Sequence, residues 1–214
     1  MSLITSIRQN TTALHSASEH TGFIKRIMEG KASKEGYTEY LFNLAAMYEA
    51  IEKGLNQNRE KQALQPFVTP ELYRYELIMK DLDFLAGPNL SQMSLLPSTQ
   101  ACVAHLEELS ATKPELIVAY AYTRFIADLF GGRTFASLLG SHYQIEPEGL
   151  NYYSCDKIPD IRTYVMGYGS KIDQINLSED MKQAFIHEVS NAYIYNLAIS
   201  NELEMKLYPI SPNH

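Results

Sequence analysis

One pair of side chains near the amino end has the spacing of a metal ligand and its orienting partner. His15 and Glu19 are four residues apart, so on a helix both side chains lie on one face. A histidine that binds a metal usually holds its other ring nitrogen against a carboxylate or a similar acceptor, which fixes the tautomer. The same pair could be an ordinary His–Glu pair on an exposed helix face, and the spacing alone favours that interpretation.

A second charged pair, Arg124 and Asp128, lies in an otherwise apolar segment. In one interpretation, the two residues form an ion pair at a solvated helix edge. In the other, Arg124 holds the carboxylate of Asp128 beside a buried site. The spacing does not distinguish the two interpretations. Gly131-Gly132 follows in the same segment. Because a glycine inside a helix costs roughly 0.5–1 kcal/mol relative to alanine, this pair predicts a kink or a large group lying against bare backbone.

The composition limits the classes of function. The 214 residues carry a net charge of −7 without a basic stripe, which argues against nucleic acid and against a polybasic membrane anchor. No apolar run reaches the roughly 18 residues of a membrane span, and the first residues lack the blocks of a signal peptide. The two cysteines form no CxxC motif and imply neither a disulfide framework nor a zinc site. We therefore expect a reduced, cytoplasmic, globular protein.

Helices must position these residues, because apolar side chains recur with a period near 3.6 and strand-like alternation is scarce. We expect one all-α domain, residues 1–214, of seven or eight helices. Gly167 and Gly169 are expected to interrupt a weak helix after a loop at 145–159. The other predicted helices cover about 5–28, 33–55 (capped by Ser33), 69–87 (opened by Thr69-Pro70), 100–111, 114–139 and 178–207 (capped by Ser178).

Several segments resemble the haem oxygenase family in order and spacing. Residues 121–132, AYTRFIADLFGG, are similar to the family signature AYTRYLGDLSGG, and residues 14–19, LHSASE, to its proximal histidine segment. Residues 44–52, LAAMYEAIE, resemble its second helix, and Asn196 fits its last helix. The resemblance covers about residues 5–206 and points to the soluble, bacterial-type members.

This resemblance implies a single-domain bundle that holds haem between a proximal helix and a glycine-kinked distal helix. It assigns His15 as the axial iron ligand and Glu19 as its hydrogen-bond partner. On the distal side it assigns Asp128 to a polar network. The other residues that it implies are Arg124 and Tyr48 in that network, Arg8 and Tyr122 at the haem propionates, Ala127, Gly131 and Gly132 against the porphyrin, and Tyr193 near the haem.

The implied activity is the oxidative cleavage of haem to biliverdin, CO and iron. It uses O₂ and electrons from an external NADPH-dependent reductase or a ferredoxin, with haem as both substrate and cofactor. Haem and the electron donor are thus the expected partners, with no nucleic acid and no membrane anchor. Two alternatives stay open: a non-catalytic haem-binding or haem-delivery protein on the same fold, and a helical-bundle enzyme that uses no haem.

Departures from the family pattern motivate the non-catalytic alternative. Ala127 stands where the family has its first distal glycine, and Phe130 stands where it has serine and could narrow the distal side. The basic pair that usually anchors the propionates is absent, so the sequence does not determine which meso carbon is cleaved. We expect the usual α carbon. The aligned positions are Val165 and Gly169, with Arg162 and Lys171 as the nearby basic substitutes.

Overall fold

The computed structural model describes residues 2–209, and the regular elements in this range are all helical. None of these helices combines the length and the apolar character that a membrane crossing needs. Short 3-10 turns join several of them. The α-helices are α1 (Leu3–His20), α2 (Gly22–Met28), α3 (Lys34–Gln57), α4 (Tyr75–Ala86), α5 (Pro97–Thr112), α6 (Ile117–Ser141), α7 (Ile161–Asp173) and α8 (Glu179–Leu207). The predicted all-α class is confirmed.

The centre of the bundle is α3. Fifteen of its 24 residues are buried, which is more than one helix face, so other helices must surround it. Helices α4 and α5 pack along it, and α6 and α8 also contact it. The predicted apolar stripe that contains Leu41, Leu44 and Ile51 is buried as expected. Tyr48 lies in the same stripe and is therefore in the interior, where its ring stacks on Phe125 of α6.

The first predicted helix is in fact two helices. The chain leaves α1 at Thr21, which has an extended backbone, and turns at Gly22, whose φ is +58°. A Cβ on Gly22 would come within 2.8 Å of the Ser200 backbone, so α8 packs directly against this turn. The Ser200 hydroxyl donates to the Thr21 carbonyl and accepts from the Ile24 amide. Helix α8 thereby sets where α1 ends.

Two predicted helix caps are confirmed and one is wrong. The hydroxyls of Ser33 and Ser178 accept the expected amide hydrogen bonds at the starts of α3 and α8. The segment at Thr69 instead forms a short 3-10 turn, Pro70–Leu72, and α4 begins later, at Tyr75. There Glu52 of α3 accepts from the amides of Arg74 (2.6 Å) and Tyr75 (3.0 Å). A buried carboxylate from another helix therefore replaces the local cap.

Neither α6 nor α7 is interrupted at its internal glycines. Helix α6 runs unbroken through Gly131-Gly132, in agreement with the predicted long helix. Helix α7 also continues through Gly167 and Gly169, so the predicted interruption is wrong. The predicted loop between α6 and α7 is present, and it contains a short turn at Asn151–Tyr153. Helix α7 packs on α1, while α8 packs on α1, α2 and α6.

Candidate active site

A cleft opens between one face of α1 and one face of α6. It consists of two adjoining cavities, of about 630 Å³ and about 150 Å³. We call the two together the α1–α6 cleft, with an outer cavity and an inner cavity. A combined space of this size is within the usual range for a small-molecule or cofactor site. The side chains that line both cavities are His15, Glu19, Thr123, Ala127, Gly131 and Tyr193.

The wall formed by α1 carries the predicted His–Glu pair. The His15 side chain is 52% exposed, and its Nε2 lies 3.7 Å from Oε1 of Glu19. This distance exceeds a hydrogen bond, so the predicted partnership is present as proximity and not as a direct bond. The imidazole edge packs on the ring of Tyr193 from α8, with centroids 5.7 Å apart. Burial of Tyr193 raises the pKa of its phenol to about 12, so that phenol stays neutral.

Arg8 and Tyr122 both line the outer cavity, as does the α7 surface. Val165 and Gly169 face this cavity, so the two positions where the family has basic residues present no charge to it. Lys171 is not a substitute, because its Nζ donates to the carbonyl of Pro66 (3.0 Å), beside a separate cavity. Arg162 is exposed and lies outside the cleft lining. Among the described residues that line the outer cavity, Arg8 is the only arginine or lysine.

The α6 wall presents bare backbone to the cleft. A Cβ built on Gly131 meets no other atom within 4 Å, so protein packing does not require glycine there. A Cβ on Gly132 would contact the Tyr153 ring at 3.5 Å, which is ordinary packing. Ala127 lies one turn before Gly131 and lines both cavities. The space in front of Gly131 is therefore open, and no neighbouring protein atom fills it.

Phe130, which the sequence suggested could narrow the distal side, lies at the outer cavity and not at the inner one. Its side chain is 63% exposed and lines only the outer cavity. Successive residues on a helix point about 100° apart, so a side chain next to Gly131 is directed away from the face that Gly131 presents. The departure at this position therefore affects the mouth of the cleft and not its polar end.

The inner cavity ends at a buried polar network that contains the predicted Arg124, Asp128 and Tyr48. The Tyr48 hydroxyl donates to Oδ2 of Asp128 and accepts from Nε of Arg124 at 3.2 Å. Nη2 of Arg124 lies 3.7 Å from Oδ1 of Asp128, and Nη1 donates to Asn196 of α8 at 3.4 Å. Only 12% of the Arg124 side chain and 9% of the Asp128 side chain are exposed. The alternative of an ion pair at a solvated edge is therefore excluded.

Burial governs the ionisation of these groups. It raises the pKa of the Tyr48 phenol far above its ordinary value, with a further rise from the nearby Asp128 carboxylate. Burial alone would lower the pKa of Arg124, but its interactions with Tyr48 and Tyr152 outweigh that effect and raise it. The network thus holds a permanent guanidinium charge and neutral phenols around a single carboxylate.

The sequence analysis missed a further member of the network. Tyr152, in the turn between α6 and α7, donates to Oδ1 of Asp128 at 2.6 Å and accepts from Nη2 of Arg124 at 3.1 Å. Its oxygen is also 3.0 Å from that of Tyr48. No spacing rule connects this loop residue to α3 or α6, and the only signal was a Tyr-Tyr pair in a segment otherwise assigned as loop.

The chain matches known proteins over nearly its whole length. The family model described as "Heme oxygenase" matches residues 1–202. The heme oxygenase of Porphyra purpurea is 31% identical over 98% of this chain and 89% of its own length. Heme oxygenase 2 of Synechocystis is 30% identical over 92% of this chain and 81% of its own.

Solved structures agree with these matches. Heme oxygenase-1 from Synechocystis, determined in complex with heme, superposes with a TM-score of 0.90 at 28% identity, covering 97% of this chain and 94% of that one. The heme oxygenase of Leptospira interrogans superposes with a TM-score of 0.87 at 30% identity, covering 94% and 100%. The cleft between α1 and α6, the full-length family match and these two structures lead to one conclusion: the chain belongs to the haem oxygenase family, whose enzymes degrade haem.

Proposed function

We propose that haem binds in the α1–α6 cleft and is cleaved there to biliverdin, CO and iron. The observation that carries this proposal is the pairing of opposite walls, with a free imidazole on α1 and a buried carboxylate network with bare backbone on α6. Haem supplies the iron that activates O₂, and it is also the molecule that is oxidised. The residues of this chain bind it, orient it and manage protons.

We infer that His15 ligates the iron through one ring nitrogen, with Glu19 near the other. The exposed imidazole supports this role, because Tyr193 packs on the ring and the nearest carboxylate oxygen, Oε1 of Glu19, is 3.7 Å from Nε2. A carboxylate close to a ligating histidine raises its basicity and fixes its tautomer. Glu19 is near enough to take a direct or a water-mediated hydrogen bond after a small rotation of either side chain.

We assign Asp128 the control of protons on the opposite face. A carboxylate beside the reacting centre can accept and return protons through water without touching the iron. Tyr48 and Arg124 support this role, because they fix the orientation of the carboxylate and balance its charge. Gly131, Gly132 and Ala127 leave room for the porphyrin face next to that network.

We assign the propionates to the outer cavity, with Arg8 and Tyr122 as their partners. Arg8 provides a cation there, and Tyr122 provides a phenol. The absence of charge at Val165 and Gly169 leaves this end with fewer ionic contacts than the family pattern would supply. The in-plane rotation of haem, and with it the meso carbon that is cleaved, therefore depends mainly on the α1 side of the cavity.

An external NADPH-dependent reductase or a ferredoxin is the proposed source of electrons. The net charge of −7 means that an acidic ferredoxin would need a local basic surface on this chain. Turnover with each purified donor at low and at high ionic strength distinguishes the two classes, because electrostatic docking weakens with salt. A cytoplasmic location stays a prediction from composition.

Mixing the full chain with hemin tests the function directly. Binding should produce a Soret band of imidazole-ligated haem, and ascorbate in air should then bleach that band and form a bilin. Chromatography of the bilin isomers identifies the meso carbon. A stable Soret band without bilin would favour the haem-binding or haem-delivery alternative, and no Soret band would favour an enzyme without haem.

A further inference from the structure

Both oxygens of the Asp128 carboxylate are held by phenols that come from distant parts of the chain. Tyr48 of α3 donates to Oδ2, and Tyr152 of the α6–α7 loop donates to Oδ1 at 2.6 Å. Arg124 donates to both phenol oxygens, at 3.2 Å and 3.1 Å. A carboxylate that is held at one oxygen can still rotate about its last side-chain bond. A second donor at the other oxygen removes that rotation.

The backbone of Tyr152 is fixed by a carboxylate that lies outside the cleft lining. Asp81 of α4 is fully buried and accepts from the Tyr152 amide at 2.8 Å. It also accepts from the amide and the side chain of Asn151, at 2.7 Å and 2.9 Å. Burial raises the pKa of Asp81, and these three hydrogen bonds oppose that rise. Tyr152 therefore has a defined position even though it lies in a loop.

The oxygen atoms of this cluster can accommodate one additional proton. Three short contacts connect them: Tyr48 to Asp128, Tyr152 to Asp128, and Tyr48 to Tyr152 at 3.0 Å. When Asp128 is ionised, the two phenols supply two protons, and both go to the carboxylate. When the carboxyl is protonated, three protons are present and each contact can be a hydrogen bond in a closed ring.

We propose that Tyr152 is a positioning residue of the haem-cleaving reaction, which holds the carboxylate of Asp128 in one orientation together with Tyr48. This inference rests on the proposed role of Asp128. Tyr152 acts through that carboxylate and not on haem itself. The loop between α6 and α7 thus contributes to proton control, whereas the sequence analysis gave it no role.

The test replaces Tyr152→Phe in the full chain and measures bilin formation at saturating hemin with ascorbate in air. We expect the rate to fall about tenfold, which corresponds to about 1.4 kcal/mol in the barrier. The hemin dissociation constant, from Soret titration, should stay within about twofold of the original value. The matched control is Tyr37→Phe. Tyr37 is a fully buried tyrosine whose hydroxyl donates to Tyr153 (3.2 Å), and it lines neither cavity. The rate of bilin formation by this variant should stay within about twofold of the original rate.

A double-mutant cycle separates positioning from a general loss of structure. Tyr48→Phe and Tyr152→Phe act on the same carboxylate, so the double variant should lose less than the product of the two single losses. In an Asp128→Asn background, Tyr152→Phe should have almost no further effect. The inference would be overturned if the loss of rate in the double variant equalled the product of the two single losses. It would also be overturned if Tyr152→Phe formed bilin at the rate of the Tyr37→Phe control. If Asp128→Asn itself formed bilin at the original rate, the proposed role of Asp128 would fail instead.

A spectroscopic readout covers the case in which Tyr152→Phe does not fold. In the haem-free chain labelled with ¹³Cζ-tyrosine, Asp128→Asn should shift the resonances of Tyr48 and Tyr152, because both phenols lose a charged acceptor. The resonance of Tyr164, whose hydroxyl donates to Glu71 and which lines neither cavity, should not move. An unchanged Tyr152 resonance would overturn the inference without any measurement of turnover.

Discussion

The two walls of the cleft differ in how fully their polar side chains are bonded within the protein. On the α1 wall, His15 and Glu19 are each more than half exposed, and 3.7 Å separates their nearest atoms. On the α6 wall, Arg124 and Asp128 are nearly buried, and phenols from α3 and from the α6–α7 loop bond to them. On the α1 wall, His15 and Glu19 are not hydrogen-bonded to each other. On the α6 wall, both oxygens of Asp128 accept hydrogen bonds from phenols of the protein.

This difference matches what each wall has to do. A metal ligand gains its main partner only when the metal binds, so an exposed imidazole costs the folded protein little before then. A carboxylate that controls protons must be oriented in advance, because any reorganisation during the reaction adds to the barrier. Variants of the α1 wall should therefore affect haem ligation, and variants of the α6 wall should affect the chemistry of bound haem.

The largest effect is expected on the α1 wall. His15→Ala removes the proposed iron ligand, and bilin formation should fall by more than about 100-fold, since even the loss of a residue that hydrogen-bonds to a metal ligand costs about 10- to 100-fold. Added imidazole should restore part of the rate. His20→Ala is the control, since His20 lies on the same helix, is exposed and bonds only to the Ser16 carbonyl. Bilin formation by His15→Ala at the original rate without imidazole would refute the assignment.

The opposite wall should show the reverse pattern. Asp128→Ala is expected to keep hemin affinity within about twofold and to lower the bilin rate by about 100-fold, because positioned proton transfer contributes about 10²–10⁴. Soret titration and ascorbate-driven turnover measure the two quantities on the same sample. Asp83→Ala, an exposed carboxylate on α4, serves as the control. A parallel loss of affinity and rate in Asp128→Ala would show that the walls do not divide their tasks in this way.

Gly131→Ala should separate binding from folding. Because the added methyl meets no protein atom and alanine favours the helix, the haem-free chain should gain about 0.5–1 kcal/mol of unfolding free energy. The same methyl occupies space proposed for porphyrin, so the hemin dissociation constant should rise about tenfold. Gly167→Ala on α7 is also unobstructed but lies outside the cleft lining. Gly167→Ala should raise the free energy of unfolding, as judged by denaturant unfolding, without changing the hemin dissociation constant.

The smallest effect concerns the helix that carries Tyr48. Burial raises the pKa of Glu52 to about 7, although hydrogen bonds from the amides of Arg74 and Tyr75 oppose the rise. The folded chain therefore holds this proton to higher pH than the unfolded chain, so stability falls as pH rises from about 4.5 through about 7 and then levels off. Between about pH 6 and about pH 8 the loss should be about 1 kcal/mol. In Glu52→Gln this component of the pH dependence should vanish from denaturant unfolding curves.

Residue pairs on one helix were predictable from sequence, because helix geometry alone brings residues i and i+4 together. His15 lies near Glu19 and Arg124 near Asp128, as the spacing predicts, but only the resemblance to a family implied that both pairs line a cleft. The bonds from Tyr48 and Tyr152 to Asp128 join residues 80 and 24 positions apart. Only the resemblance to a family indicated a role for Tyr48, and no spacing rule indicated one for Tyr152.

Helix boundaries show the same division between local and distant causes. The Ser33 cap depends on an amide three residues away and was predicted correctly. The start of α4 depends on Glu52, which lies 22 residues from Arg74, and it was predicted too early at Thr69. The break at Gly22 depends on Ser200 of α8. Local rules describe interactions within a helix turn, but these two boundaries follow from how helices pack.

The two cavities of the cleft share six lining residues, and this has a consequence for solvent traffic. A planar ligand that spans the shared boundary divides the cleft into an outer compartment beside Arg8 and an inner compartment beside Asp128. At about 150 Å³, the inner compartment has room for on the order of five to ten water molecules. Protons that reach Asp128 from that side would then pass through this small number of water molecules.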